Sequence, residues 1–270
     1  MKALHLHRWD VTPAEAREIQ LQLRSRLERE DRIPKVKHVA GADIALDLRG
    51  HGSWRTGEGR AIAGAIVYRF PDMVEVERVS SIQPLTFPYV PGLLSFREIP
   101  ALLAVFESLR VSPDLIFCDA QGYAHPRRFG LACHLGVLLD VPSIGVAKSL
   151  LIGECKEPAR PAGSTAALVD ADTGEQIGAA IRAANAVRPV YVSQGHRISI
   201  ARAIEFTLAV ADGFRIPRPT READHFVNSI RRQQKVLADP TRIGVPSDVP
   251  ERGTSLSITA AVRDPNKKAS

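Results

Sequence analysis

This sequence predicts a mixed α/β sheet, an antiparallel meander plus parallel strands, with helices on both faces. Three observations carry that expectation. The early apolar segments "HVAGADIAL", "AIAGAIVYRF" and "VEVERVSSI" are joined by short connections, the pattern of an antiparallel meander. Later apolar runs, "DLIFCDA" and "VPSIGVAKS", alternate with helical patterns, which requires strands buried between helical layers. The 270 residues, 44% hydrophobic and 24% charged, are enough to bury a substantial core, in one large domain or two small ones.

The first element is a helix. Thr12 is suited to the N-cap, Pro13 to the first helical position and Glu15 to a capping box. Ala16, Ile19, Leu23 and Leu27 then share one face through about residue 29. His38 to Leu46 is a buried strand carrying Asp43 at its middle. The loop "RGHGSWRTGEGR" leads to the second strand, Pro71-Asp72 turns the chain, and alternation in "VEVERVSSI" marks a half-exposed third strand.

A helix follows from about Pro100 to Arg110, with Leu102, Leu103 and Phe106 inward. "DLIFCDA" is a short strand ending at Asp119. The next helix is placed near Pro126 and carries Phe129, Cys133, Gly136 and Val137, and "VPSIGVAKS" is a buried strand ending at Lys148. "TAALVDADTGEQIGAAIR" reads as a hairpin turning at Asp172-Thr173-Gly174. "PVYVSQGH" adds a strand, and helices occupy about 198–212 and 221–237. The domain is expected to span 1–238. The aperiodic segment 239–270, with Pro240, Pro246, Pro250 and Pro265, is expected to be disordered.

Composition excludes several classes. No run of about 18 apolar residues would span a membrane, and the first twenty residues lack a secretory apolar core. Three cysteines without C-x-x-C spacing fit buried free thiols in a reducing cytoplasm. A net charge of +6 suits a polyanionic partner, and solubility alone explains it equally well. At 6% aromatic residues, an extended stacking platform for single strands is not expected.

The chemistry concentrates in carboxylates. Asp43 and Asp119 sit in or at the end of apolar strands, where an unpaired charge costs several kcal/mol unless it is paired or binds a metal. Glu98 belongs to Ser95-Phe-Arg-Glu98, which also fits a capping box, although Pro100 impairs a helix starting there. Asp224 falls in a first helical turn after Thr220 as N-cap, where the helix dipole alone favours an acid. Together, four such groups could gather one or two hard divalent cations. Zinc fits less well: no Cys or His pair has the spacing, and His5 and His7 read as strand alternation.

His125, Arg127 and Arg128 follow Asp119 closely, and Lys148 could reach the same phosphate or simply end a strand in solvent. His196 precedes a helix, where it could bind phosphate or sit in a plain capping loop. Pro88 and Pro91 hold Tyr89 in a stiff, extended segment, "TFPYVPGLLSFREIP", the build expected of a probe.

"VAGADIA", "PYVPGLLSFREIPALL", "DLIFCDAQGYAHPRRFGLACHLGVLLDVPSIGVAKS", "YVSQGHRIS" and "PTREAD" occur in one order that closely resembles the endonuclease V family over roughly residues 10–235. The resemblance implies an RNase H-like fold and hydrolysis dependent on Mg²⁺, with Mn²⁺ as a substitute. It implies recognition of deaminated bases (inosine, that is hypoxanthine) in DNA, and cleavage of the second phosphodiester on their 3′ side, leaving 3′-hydroxyl and 5′-phosphate ends. RNA containing inosine is a second substrate it allows, and a monomer is expected.

Residue by residue, Asp43 and Asp119 match metal-binding aspartates. Glu98 matches the catalytic glutamate, counted here with the metal set, and Asp224 the last acidic position. Lys148 and His125 match phosphate-contacting positions, and Tyr89 matches a wedge entering the duplex between Pro88, Val90 and Pro91. Gly92, Leu94, Gly122, Gly145 and Ser149 fall in segments lining the pocket for the extruded base; His196 is counted with the substrate-binding residues on its place before a helix alone. Ala120 stands where Gly is usual and Gln194 where Pro is common, departures that bear on base preference. A structure-selective nuclease on the same fold, and a nucleic-acid-binding protein without catalysis, are the alternatives.

Overall fold

The computed structural model describes residues 1–33, 35–48 and 59–238 of the chain. Most of the loop at 49–60 and the segment expected to be disordered at 239–270 lie outside them. Among the described residues nine strands form one sheet: β1 (His38–Leu48), β2 (Gly59–Arg69), β3 (Val74–Pro84), β4 (Leu115–Cys118), β5 (Ser143–Ala147), β6 (Glu154–Cys155), β7 (Thr165–Val169), β8 (Gln176–Ile181) and β9 (Val190–Gln194). Their order is β3-β2-β1-β4-β5-β9-β8-β7-β6. The pairs β1–β4 and β4–β5 are parallel and the others antiparallel. The mixed sheet with its meander is thus the expected one, except for β6, a two-residue edge strand too short to read from pattern.

Among the described residues five helices cover it: α1 (Pro13–Arg24), α2 (Leu94–Ser108), α3 (Leu131–Leu139), α4 (Ile200–Ala209) and α5 (Arg218–Ala238). α2 and α3 pack on one face, against Ala40, Ala42, Ala63, Ala65, Ile116 and Cys118. On the other face α4 covers Phe117, Ile144 and Val192, and α5 places Val227 on Ala45 and Ile62. Period-2 alternation along β1 and β4 divides their side chains between these layers.

Several boundaries depart from the pattern. α1 has the expected capping box, with the Glu15 amide bonded to Thr12 Oγ1 at 3.3 Å, but ends at Arg24. α2 starts six residues before Pro100 and tolerates it inside, so no helix begins at Pro100. Proline there forfeits one hydrogen bond, while Phe96, Ile99 and Leu103 bury a continuous face that outweighs the loss. Leu93, not Ser95, occupies the N-cap, so the capping box with Glu98 does not form. The third helix starts at Leu131, with Pro126 in the preceding turn. Thr220 lies inside α5 and donates to the Pro217 carbonyl at 3.2 Å, so it caps nothing, and Asp224 falls beyond the first turn. His5 and His7 are in irregular backbone rather than a strand. Cys118 and Cys133 are buried free thiols, but Cys155 is only partly covered.

Candidate active site

Asp43 and Asp119 meet because β1 and β4 are adjacent and parallel. Ala42 pairs with Cys118 across the two strands, and the Asp119 amide donates to the Ala42 carbonyl at 3.4 Å. Both acids follow the alternation onto the face covered by α5. Two glycines let that helix down onto the sheet. A Cβ on Gly41 would lie 1.9 Å from the Pro219 carbonyl oxygen, and one on Gly64 would lie 2.7 Å from Val227 Cγ1. α5 consequently brings Asp224 beside the strand acids, and oxygens of Asp43, Asp119 and Asp224 lie within 4.8 Å of one another.

Charge crowding is visible in their protonation. Burial, then the charges of Asp119, Asp224 and Glu98, push Asp43 up to about 8, against an opposing Ile44 amide 2.7 Å from its Oδ1. Glu98 reaches the same field from α2 on the opposite face. Burial pushes it up to about 8, Arg97 opposes, and Asp119 adds to the rise. It is not one of the three clustered oxygens. Lys148, one residue past β5, is ion-paired with Asp119 and stands 3.5 Å from Asp224 Oδ1. Desolvation still leaves Asp119 raised despite that bond. Burial lowers Lys148, but the bond to Asp119 and the charges of Asp224 and Asp43 outweigh it, and its ammonium is held firmly protonated.

Three crowded carboxylates offering only hard oxygen donors suit a divalent cation of the Mg²⁺ or Mn²⁺ kind, and their mutual repulsion is what such a cation would relieve.

A cavity of about 340 Å³ opens beside the acids. Asp119 and Lys148 form one wall, Ala120, Gln121, Leu131 and Ser149 others, and Tyr89, Val90, Pro91, Gly92 and Leu94 the segment at its rim. Tyr89 is 48% exposed. The rim is fixed from behind: the Gly92 carbonyl accepts from Arg127 Nη2 at 2.6 Å, His125 Nε2 at 3.0 Å and Gln20 Nε2 at 3.2 Å. Gly92 itself needs its positive φ of 76°.

His125 lines the cavity, but both its nitrogens are engaged within the protein, the second accepting from the Arg127 amide at 3.2 Å. Burial, then Arg127, pushes it down to about 4, and its ring braces the rim through the Gly92 carbonyl. Arg128 pairs with Asp170 and Glu175. Gly122 and Gly145 lie behind the cavity wall. A Cβ on Gly145 would sit 2.4 Å from the Gly122 nitrogen, and one on Gly122 would sit 2.4 Å from the Gln194 carbonyl, so both allow loop 119–130 to lie on β5 and β9. Pro88 is half-buried and outside the lining.

His196 is not brought to the site. β9 runs antiparallel to β5, so His196 emerges at the Ser143 end of β5, opposite Lys148. There its amide donates to Ser143 Oγ at 3.0 Å and its ring accepts from the Glu28 amide at 3.3 Å. Of the two departures, Ala120 lines the cavity and Gln194 does not. Gln20, which braces the Gly92 and Phe129 carbonyls, is not among the residues singled out from the sequence. It sits on the buried stripe of α1, and that polar residue among apolar ones was the one available signal.

A sequence model of endonuclease V matches residues 21–225. The chain belongs to the endonuclease V family. It is 45% identical to the endonuclease V of Trichormus variabilis over 230 residues, covering 85% of this chain and all of that one. Its fold matches the crystal structure of endonuclease V from Streptomyces avermitilis at a TM-score of 0.76 and 39% identity, covering 84% of this chain and 96% of the other. It also matches the Ciona intestinalis endonuclease V in complex with a 24mer DNA containing an inosine followed by a ribo-adenosine, at a TM-score of 0.70 and 26% identity over 82% of this chain and 98% of that one. Membership makes the chain an endonuclease. Among the described residues no helix is long and apolar enough to cross a membrane.

Proposed function

We propose that this chain is a Mg²⁺-dependent endonuclease of DNA repair, with Mn²⁺ able to substitute. It takes an extruded deaminated base, hypoxanthine above all, into the 340 Å³ cavity and hydrolyses the second phosphodiester on the 3′ side. The observation that carries this reading is a shared wall: Asp119 and Lys148 belong both to the cavity and to the acid cluster, so base recognition and cleavage are contiguous. The Ciona relative's complex with inosine-containing DNA supports the choice of ligand.

In this reading Asp43, Asp119 and Asp224 hold the cation, with Glu98 beside them. The bound cation supplies Lewis-acid stabilisation of charge developing on the scissile phosphate. Lys148 adds a fixed positive charge at the same place, which is worth most where water is excluded. Glu98, poised near neutrality, is suited to take or give the proton of the attacking water or leaving oxygen. Extruding a base costs a few kcal/mol, and Tyr89 at the rim fills the vacated stack to recover part of it.

The test is nicking of matched inosine-containing DNA and RNA duplexes, and of an undamaged flap substrate, with Mg²⁺, Mn²⁺ or EDTA. Cleavage restricted to inosine and abolished by EDTA is expected. Preferential flap cleavage would overturn the reading, and the DNA-to-RNA ratio sets the physiological substrate.

A further inference from the structure

One cavity residue is tied into a hydrogen-bonded chain that leads away from the acids. Ser95, 2% exposed, lines the cavity, and its hydroxyl lies 3.1 Å from His134 Nδ1. His134 is fully buried, and its Nε2 lies 2.8 Å from His7 Nε2. His7 Nδ1 in turn lies 2.8 Å from the Arg8 carbonyl oxygen. Trp9 stacks on His134 at 5.7 Å between ring centroids, and Phe96 and Phe129 flank it at 5.3 Å. Burial holds both imidazoles below the ordinary histidine range, so both are neutral and each has one donor and one acceptor nitrogen.

The far end fixes the polarity of the whole chain. A carbonyl only accepts, so His7 Nδ1 carries the proton and its Nε2 accepts. His134 Nε2 must therefore donate, which leaves His134 Nδ1 as an acceptor. The Ser95 hydroxyl proton is then committed to His134, and lone pairs are all that the hydroxyl of this cavity-lining residue has left to offer a ligand.

Resting on the reading of the cavity as the base pocket, we infer that Ser95 is a specificity-determining residue whose hydroxyl, held as an acceptor by His134 and His7, recognises the ring N–H that deamination creates. Hypoxanthine carries a hydrogen on N1 where adenine has a bare nitrogen, and uracil carries one on N3 where cytosine has none. A group restricted to accepting pairs with the first of each couple and meets a lone pair in the second. His7 and His134 are positioning residues in this scheme.

The experiment compares single-turnover cleavage, in Mg²⁺, of a duplex containing inosine and one containing an isosteric analogue in which C–H replaces N1–H. The wild-type protein should prefer inosine by about tenfold, the usual worth of a buried hydrogen bond whose loss strands one partner. Ser95→Ala should cut the two at rates within about twofold of each other, chiefly by losing rate on inosine. His7→Phe keeps an aromatic ring against Trp9 but releases the polarity of His134, and should lower the preference to an intermediate value. A purely structural role would slow both substrates equally and keep the ratio. If Ser95→Ala keeps the wild-type ratio, the inference is overturned while the endonuclease reading stands. If the wild-type protein cuts no inosine duplex at all, both fall.

Discussion

Gly41→Ala separates the helix that delivers Asp224 from the strands that deliver Asp43 and Asp119. The added methyl would lie 1.9 Å from the Pro219 carbonyl oxygen and 2.2 Å from its carbon, and these are backbone atoms that no rotamer change can move. Ordinary contact begins at about 3.4 Å, so the start of α5 must lift by at least about 1.5 Å. Asp224 sits five residues further along the same rigid helix, about 7.5 Å from Pro219 along the axis, and travels with it. A cluster confined within 4.8 Å does not survive a displacement of that size intact. Overpacking of this kind costs about 1–3 kcal/mol, and misplacing a reacting group by about 1 Å costs on the order of 100-fold in rate. The assay is single-turnover nicking of an inosine duplex across a Mg²⁺ titration, with Tm measured in parallel. Gly41→Ala should raise the half-saturating Mg²⁺, lower the saturated rate about 100-fold and reduce Tm by several degrees. Asp224→Asn should reproduce the Mg²⁺ shift without the drop in Tm. Gly64→Ala should be milder, because its methyl meets the side-chain atoms Val227 Cγ1 and Phe226 Cδ1, which can yield. A destabilised Gly41→Ala protein with wild-type Mg²⁺ dependence would refute the argument that α5 supplies a metal ligand.

Protonation supplies another test. Asp43 and Glu98 ionise near 4 when unfolded and near 8 in the folded, metal-free protein, so the protonated forms favour the fold. That stability is complete below about pH 4 and is lost as pH rises to about 8. Tm in EDTA should therefore decline over that window relative to Asp43→Asn, and parallel curves would exclude the shift. Lys148→Ala should slow cleavage more than it weakens DNA binding, since its charge acts where negative charge develops; equal losses would make it an ordinary backbone contact. Tyr89→Ala should cost about 1–3 kcal/mol on an inosine duplex and less on a single strand, where little stacking has to be broken, with Tm unchanged. Equal losses on both substrates together with a lower Tm would make the ring a core residue instead.

The sheet was legible because its signal is local. Alternation and apolar runs identify β1 to β5 and the β7–β8 hairpin without knowledge of their neighbours, and the two aspartates stand out because an acid in an apolar strand is costly. Helix starts were less legible. Pro100 argues locally against a helix from Leu94, yet tertiary burial of Phe96 and Ile99 decides the matter. Relations between distant segments left the weakest trace. Nothing in "VAGADIA" announces that Gly41 exists to admit Pro219, and nothing at Gln20 announces Gly92, 72 residues away. His196 shows the same limit from the other side. It looked like a phosphate contact because it precedes a helix, but the antiparallel run of β9 carries it to the wrong end of β5.

The acid cluster is locally unfavourable, and the rest of the fold is arranged to tolerate it. Asp43 is held above its ordinary range by burial and by three other carboxylates, and among the described residues one ammonium, that of Lys148, is paired into the group. Hydrophobic substitution at these positions would relieve the repulsion, so stability alone does not account for them. What the repulsion does supply is affinity for a cation: a divalent ion that binds the folded protein relieves like-charge strain, and its binding stabilises the fold by RT ln(1 + L/Kd) at free ion concentration L. Lys148 limits the strain without abolishing it. It is 45% exposed, on a flexible stem, and its charge can swing from Asp119 toward an incoming phosphate. Under the proposed function, the ammonium that offsets the carboxylates in the metal-free protein would be released to face the substrate once a cation holds them. Mg²⁺ should accordingly rescue the Tm of Lys148→Ala more than that of the wild-type protein.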